Sequence, residues 1–193
     1  GATIRLAKRI PAGAGLGGGS SNAATTLRLL NELWSLELST GRLAEIGAAI
    51  GSDVPLFLGP AVSVIRGRGE LIEAGGVRPA GRVVLVLPEL ASATAAVYRA
   101  WGVQGRSTER ATLDDVVAAF EDAEELNRRL FNDLAAPAFS VSPALGALAG
   151  QLRAASPVPI HLTGSGAGFF CVTEEPGVVV AAFGWLGPTL HWM

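Results

Sequence analysis

The sequence predicts an α+β protein in two parts, and three observations lead there. A strand-like segment at 2–10 runs into a glycine-rich loop, and an amphipathic helical pattern follows at once. A loop rich in Gly and Pro at 75–81 separates two halves, which sets expected domains at 1–80 and 81–193. Beyond that loop, a few short apolar runs are mixed with longer helical patterns, as in a small α+β sandwich.

Each element has its own warrant. Ile4, Leu6 and Ile10 alternate loosely with Arg5, Lys8 and Arg9, which predicts a half-buried strand. A helix is expected over 22–34, with Leu27, Leu30, Leu33 and Trp34 on one face and Ser20, Ser21 or Asn22 as N-cap. Ser39 and Thr40 start a second helix over 41–50, which Gly51 stops. A turn at 52–55 precedes strands at 61–66 and 70–73. The second half opens with a strand at 82–87. Helices are predicted at 94–101, 113–120, 124–134 and 143–154, strands at 159–162 and 169–172 around a second glycine loop, then a helix at 177–186 and a last strand near 189–192.

Composition narrows the function. The 193 residues are 49% hydrophobic and 17% charged, with net charge −2. The basic residues are scattered with no run longer than two, so no polyanion surface is expected and nucleic acid is not a predicted partner. Mean hydropathy is +0.40, yet no apolar run approaches the ~18 residues of a membrane span. Cys171 is the single cysteine. With no signal-peptide pattern, the expectation is a cytoplasmic protein, monomer or homodimer, acting on a small molecule without a membrane.

The chemistry concentrates in 11–24, PAGAGLGGGSSNAA. Gly13, Gly15, Gly17, Gly18 and Gly19 place five glycines in seven positions. Glycine lets the backbone turn freely and lets N–H groups approach a ligand. The helix that follows presents unpaired N–H groups and the positive end of its dipole, which is an anion site. A flexible turn with surplus glycine would not be followed directly by cap residues and an amphipathic helix. No Lys-Ser/Thr pair follows, so this is not a Walker A loop. Gly13, Gly15 and Gly18 match G-x-G-x-x-G, but a second helix stands where a dinucleotide fold needs a strand ending in an acid.

These residues resemble the ATP loop of the GHMP kinase superfamily, which contains galactokinase, homoserine kinase, mevalonate kinase and phosphomevalonate kinase. The longer form LGGGSSNAA resembles the branch that phosphorylates the 2-hydroxyl of a cytidine-linked methylerythritol alcohol in the non-mevalonate isoprenoid route. Two further stretches agree, IGSDVPLFL at 50–58 and LTGSGAGFFCV at 162–172. The resemblance implies a two-domain fold, with a ribosomal S5 domain 2-like first part and a ferredoxin-like second.

It also implies ATP and Mg2+ as cofactors. ATP would be held by Lys8, Pro11, Gly13, Gly15, Leu16, Gly17, Gly18, Gly19, Ser20 and Ser21. Asn22, Gly164, Ser165 and Gly166 would belong to the substrate or active-site loop. Asp53 inherits the role of catalytic base, its carboxylate partly desolvated beside Val54, Leu56 and Phe57. From the residues alone, Asp53 also reads as a cap before Pro55, Lys8 as a solvated charge, and 163–168 as a plain turn. FNDL at 131–134 resembles the family's Asn-Asp-Leu-Glu, with Ala135 in place of the acid, and reads as a helix-end feature.

Family members carry a further stretch upstream, including a lysine that pairs with the catalytic aspartate and residues that grip the cytidine. That stretch is not in this chain, and Lys8 is not that lysine. A homoserine- or mevalonate-type kinase and a catalytically silent nucleotide-binding fragment are the competing readings.

Overall fold

The computed structural model describes residues 1–66, 71–76, 78–104 and 113–192. The chain divides into two compact units. One comprises Gly1–Ala12 and Gly17–Arg78, the other Gly13–Leu16 and Pro79–Met193.

In the first unit, α1 (Gly18–Leu33) and α2 (Thr40–Ile50) are followed by a 3₁₀ turn, Pro55–Leu58, and an antiparallel pair, β1 (Ser63–Arg66) and β2 (Leu71–Ala74). The helices bury a small core of Ala24, Leu43, Val54 and Leu58, with Ala23, Leu27 and Phe57 packed on it. Ser39 caps α2, its side chain accepting from the Arg42 N–H at 3.3 Å. Gly47 lets α2 close on the turn, since a Cβ there would stand 2.9 Å from Val54 Cγ1. The Arg28 guanidinium donates to the Leu58 carbonyl at 2.9 Å and ties α1 to the same turn.

Two expectations fail in this unit. Residues 2–10 form no strand, and Ile4 and Leu6 are 64% and 63% exposed. A strand exists by lateral pairing, and no strand among the described residues lies beside this segment. The expected apolar face of α1 is also displaced. Of the expected face Leu27 does pack on the core, but Leu33 and Trp34 are exposed, and Ala23 and Ala24 meet the core in their place. Gly67 and Gly69, between the strands expected at 61–66 and 70–73, lie outside the described residues, as does Glu70 at the start of the second.

The second unit holds a four-stranded antiparallel sheet of β3 (Arg82–Val86), β4 (His161–Leu162), β5 (Phe169–Thr173) and β6 (Leu190–Trp192), in the order β4-β5-β3-β6. Between β3 and β4 lie α3 (Thr94–Gln104), α4 (Leu113–Ala118), α5 (Ala123–Arg129), α6 (Ala135–Val141) and α7 (Pro143–Ala155), and α8 (Pro176–Ala182) joins β5 to β6. With the helices between β3 and β4 taken as one layer, this is the βαββαβ order of ferredoxin-like domains. Strand alternation splits the core. Val84, Val86, Phe169 and Cys171 pack with Leu145, Leu152 and Phe183, while Val172 on the other face meets Ala123 and Leu126.

Helix α5 is shorter than the 124–134 expected. It ends at Arg129, with Leu130 already extended. Asn132 spends its side chain on backbone groups elsewhere, which competes with helix continuation. The unforeseen α6 starts just after it and tolerates Pro137 because it sits in the first turn. The predicted helix at 177–186 is likewise cut to α8, and a 3₁₀ segment, Gly184–Thr189, follows.

One buried polar side chain organises the sheet edge. β4 pairs only with Phe169 and Phe170, so the N–H of Val172 lies beyond its reach. Asn127, fully buried, fills that gap: its Oδ1 accepts from Val172 N at 2.9 Å and its Nδ2 donates to Pro159 O at 2.8 Å. His161 Nε2 donates to the Asn127 carbonyl at 2.8 Å, and burial lowers the imidazole's pKa. Replacing Asn127 with Ala should cost about 1–3 kcal/mol by orphaning the buried Val172 N–H, and Asn127→Asp should cost more, because it buries a carboxylate with one oxygen set against the Pro159 carbonyl. Urea unfolding of both variants checks this ordering.

Candidate functional site

Helix α1 begins inside the glycine run, four residues earlier than its sequence pattern suggested. Gly17 is the N-cap at φ 63°, ψ 16°, and no side chain caps the helix. The expected caps Ser20, Ser21 and Asn22 lie within the helix instead. Its first intrahelical bond runs from Ser21 N to Gly17 O at 2.9 Å, so the N–H groups of Gly18, Gly19 and Ser20 have no acceptor in the helix. No acid occupies its first turn. This is an open helix N-terminus suited to an anion.

The glycines differ in what they do. A Cβ on Gly17 would stand 2.6 Å from Phe57 Cζ, and one on Gly18 would stand 3.1 Å from Ile10 Cγ2. A Cβ on Gly19 would meet nothing within 4 Å. Gly17 is therefore required by the fold, through its left-handed backbone and its contact with Phe57. Gly19 faces space that the described residues leave empty.

The Phe57 contact ties the 3₁₀ turn to the helix start. Phe57, in the 3₁₀ turn, packs on the Gly17 cap, and Asp53 stands four residues before it in the preceding turn. Val54, 2% exposed, anchors that turn in the core. Asp53 itself is exposed, with Ser52 Oγ donating to its Oδ1 at 3.2 Å. The expected desolvation of this carboxylate is not found, because Val54 turns inward and leaves its neighbour in water.

In the second unit, two glycine loops lie against each other. Thr163 Oγ1 donates to Gly15 O at 2.8 Å, Ala167 N to Gly13 O at 3.0 Å, and Gly168 N to Ala14 O at 3.2 Å. The approach leaves no room for side chains. A Cβ on Gly15 would overlap the Thr163 carbonyl oxygen, and one on Gly168 would stand 2.5 Å from Ala14 O. Gly13, Gly15, Gly164 and Gly166 all have positive φ. Ser165 is buried, its carbonyl accepting from Ser92 Oγ at 2.5 Å and its hydroxyl 2.9 Å from Thr94 Oγ1. Asn132 Nδ2 donates to Leu162 O at 2.8 Å and Gly164 O at 2.7 Å.

Sequence reasoning missed Ser92, Thr94, Asn132 and Thr163 as partners of these loops. Thr163 stood inside a recognised motif, but Ser92 and Asn132 lie 73 and 32 residues from their partners. Lys8 and Pro11 are exposed in the irregular segment, and Leu16 is half-buried. Among the described residues no three His, Cys, Asp or Glu gather as a metal site, and no helix is long and apolar enough to cross a membrane. Burial pushes the Cys171 thiol up to about 11, which leaves it no nucleophile.

Comparison with known proteins supplies the relatives. Residues 1–59 match the model of the GHMP kinases N terminal domain. The 4-diphosphocytidyl-2-C-methyl-D-erythritol kinase of Geobacter sulfurreducens is 37% identical over 182 residues, covering 94% of this chain and 64% of the relative. The kinase of the same name from Bacillus subtilis is 37% identical over 176 residues, covering 90% and 60%. The chain thus spans less than two thirds of the length of these curated relatives. A crystal structure of a 4-(cytidine 5'-diphospho)-2C-methyl-D-erythritol kinase superposes with a TM-score of 0.76 at 31% identity, over 96% of this chain and 67% of that one. Homoserine kinase from Cytophaga hutchinsonii, at 15% identity and a TM-score of 0.65 over 96% of this chain and 66% of that one, shares the fold. By its glycine loops, its fold and these relatives, the chain belongs to the 4-diphosphocytidyl-2-C-methyl-D-erythritol kinase family of the GHMP kinases.

Proposed function

We propose that this chain is the ATP-binding part of a kinase that transfers the γ-phosphoryl group of ATP to the 2-hydroxyl of 4-diphosphocytidyl-2-C-methyl-D-erythritol. The observation that supports this best is the uncapped start of α1 inside LGGGSSNAA. Residues 1–80 then serve as the ATP-loop domain and 81–193 as the GHMP C-terminal domain, in a protein that works in the cytoplasm.

In this reading the ATP phosphates lie on the loop from Gly15 to Ser21, taking its free backbone N–H groups and the hydroxyl of Ser21, whose own N–H is spent on Gly17 O, with Lys8, Pro11 and Gly13 alongside. Mg2+ would come with ATP and neutralise phosphate charge, coordinated mainly by phosphate oxygens and water, since among the described residues no cluster of three His, Cys, Asp or Glu offers it a site of its own. Asn22, Gly164, Ser165 and Gly166 line the acceptor side. Asp53 orients the acceptor hydroxyl and takes its proton as the oxygen bonds to the γ-phosphorus and the bond to ADP breaks. Phosphoryl transfer passes through a loose transition state, so orientation and charge stabilisation supply most of the rate.

Gly19→Val separates ligand binding from folding. Its side chain meets no protein atom nearby, so the variant should fold normally yet lose affinity for ATP about tenfold or more. Calorimetric titration with ATP measures this, and unchanged affinity in a folded variant would remove the phosphates from this loop.

Asp53→Asn in the full-length enzyme should lower kcat by about 10²–10⁴-fold, the usual range for a general base. ATP affinity and thermal stability should stay near wild type, because Asp53 is exposed and bonded only to Ser52 among its described contacts. A normal kcat would return Asp53 to a turn-capping role.

The acceptor is tested by steady-state comparison of the cytidine-linked methylerythritol alcohol with homoserine and mevalonate. A preference in kcat/KM for the first is expected. Preference for either of the others would place the chain with a different GHMP kinase activity.

A further inference from the structure

Every carbonyl from Leu162 to Ser165 is engaged. Leu162 O and Gly164 O accept from Asn132 Nδ2, Thr163 O accepts from Gly166 N at 2.9 Å, and Ser165 O accepts from Ser92 Oγ. The Asn132 amide is itself aimed, because its Oδ1 accepts from Leu134 N at 2.9 Å. The loop 162–168 is thereby a fixed template. It donates in turn to three consecutive carbonyls of the first glycine loop, those of Gly13, Ala14 and Gly15.

A trans peptide points its N–H opposite to its C=O. Each carbonyl held by the template therefore turns the following N–H, of Ala14, Gly15 and Leu16, away from it. Among the described residues no backbone acceptor takes these three N–H groups. Successive N–H groups left free in a glycine turn form an anion-binding nest. Two of the three template bonds use backbone donors, which no substitution of a side chain removes. The third, to Gly15 O, uses the Thr163 hydroxyl, and it sets the peptide whose N–H belongs to Leu16, one residue before the α1 cap.

We propose that Thr163 and Asn132 are positioning residues for the phosphate loop: Asn132 fixes the template, and Thr163 passes that fixation to the Gly15–Leu16 peptide. This rests on the ATP reading above. Neither side chain is asked to touch the nucleotide. Thr163 selects the orientation of one N–H donor, and Asn132 keeps Thr163 where it can do so. A hydroxyl at 163 is the requirement; the methyl is not.

The test uses the full-length enzyme with Thr163→Val, Thr163→Ser and Asn132→Asp. Valine keeps the shape and removes the hydroxyl. Aspartate keeps the acceptor for Leu134 N but removes the donors to Leu162 O and Gly164 O. Thr163→Val and Asn132→Asp should each raise the KM for ATP and the Kd for ADP about tenfold, the scale of one lost hydrogen bond in a preorganised site. The KM for the alcohol should stay within about twofold, and Thr163→Ser should restore ATP binding.

A general loss of structure would instead lower the melting temperature and the active fraction, reducing kcat with no selective change in the ATP KM. That pattern, or wild-type ADP affinity in both Thr163→Val and Asn132→Asp, overturns the proposal. If Thr163→Val fails to fold, Thr163→Ser and Asn132→Asp decide between the same outcomes. Wild-type enzyme that does not bind ADP would overturn the kinase reading itself, and this proposal with it.

Discussion

The carbonyls of Gly13, Ala14 and Gly15 end on donors of the loop 162–168, and this backbone-to-backbone contact is the constraint on which the candidate site depends. It joins residues about 150 positions apart in sequence without a side-chain interface between them, apart from the Thr163 hydroxyl. Such an approach is open only to residues without Cβ. At Gly15 a methyl would run into the Thr163 carbonyl, and at Gly168 into that of Ala14. Two glycine-rich stretches that look like independent turns in the sequence are therefore a single structural device in the second unit.

A second device, in the first unit, is the way α1 starts. A helix usually covers its first N–H groups with a Ser, Thr, Asp or Asn side chain, a cap worth roughly 1 kcal/mol. Here glycine occupies the cap position and no side chain serves, although Ser20 and Ser21 follow within the first turn. α2 shows the contrast, since Ser39 caps it in the ordinary way. The same unit thus has one helix start closed by its own side chain and one left open. Gly17 also accepts the ring of Phe57 at its cap, which fixes the turn bearing Asp53 relative to the open start.

Much of this was legible in the residues. The glycine spacing in 11–24, the apolar runs of β3 and β5, and the cap and stop of α2 all follow from local rules, because glycine, Ser caps and β-branched runs restrict the backbone wherever they occur. The displaced face of α1 was not legible, since Leu33 and Trp34 fit a helical stripe as well as Ala23 and Ala24 do, and only packing against Leu43 and Val54 selects among them. The strand expected at 2–10 illustrates the same limit. Alternation permits a strand, but pairing makes one. Asp53 shows it for the site: its apolar neighbours in sequence suggested burial, whereas Val54 buries and Asp53 remains in water.

The sequence by itself determined which backbone could turn tightly, where helices could begin and stop, and that glycines crowd into one loop among the first residues. These are properties of single residues and short windows, set by Cβ sterics and by local hydrogen bonding. The tertiary structure decided which side chains hold the two glycine loops. Asn132 ends α5 because its amide is committed to carbonyls 30 and 32 residues away, and Thr163 counts because Gly15 O lies within reach of its hydroxyl. A polar side chain acquires a role only from the partner that folding places beside it, and no local pattern names that partner.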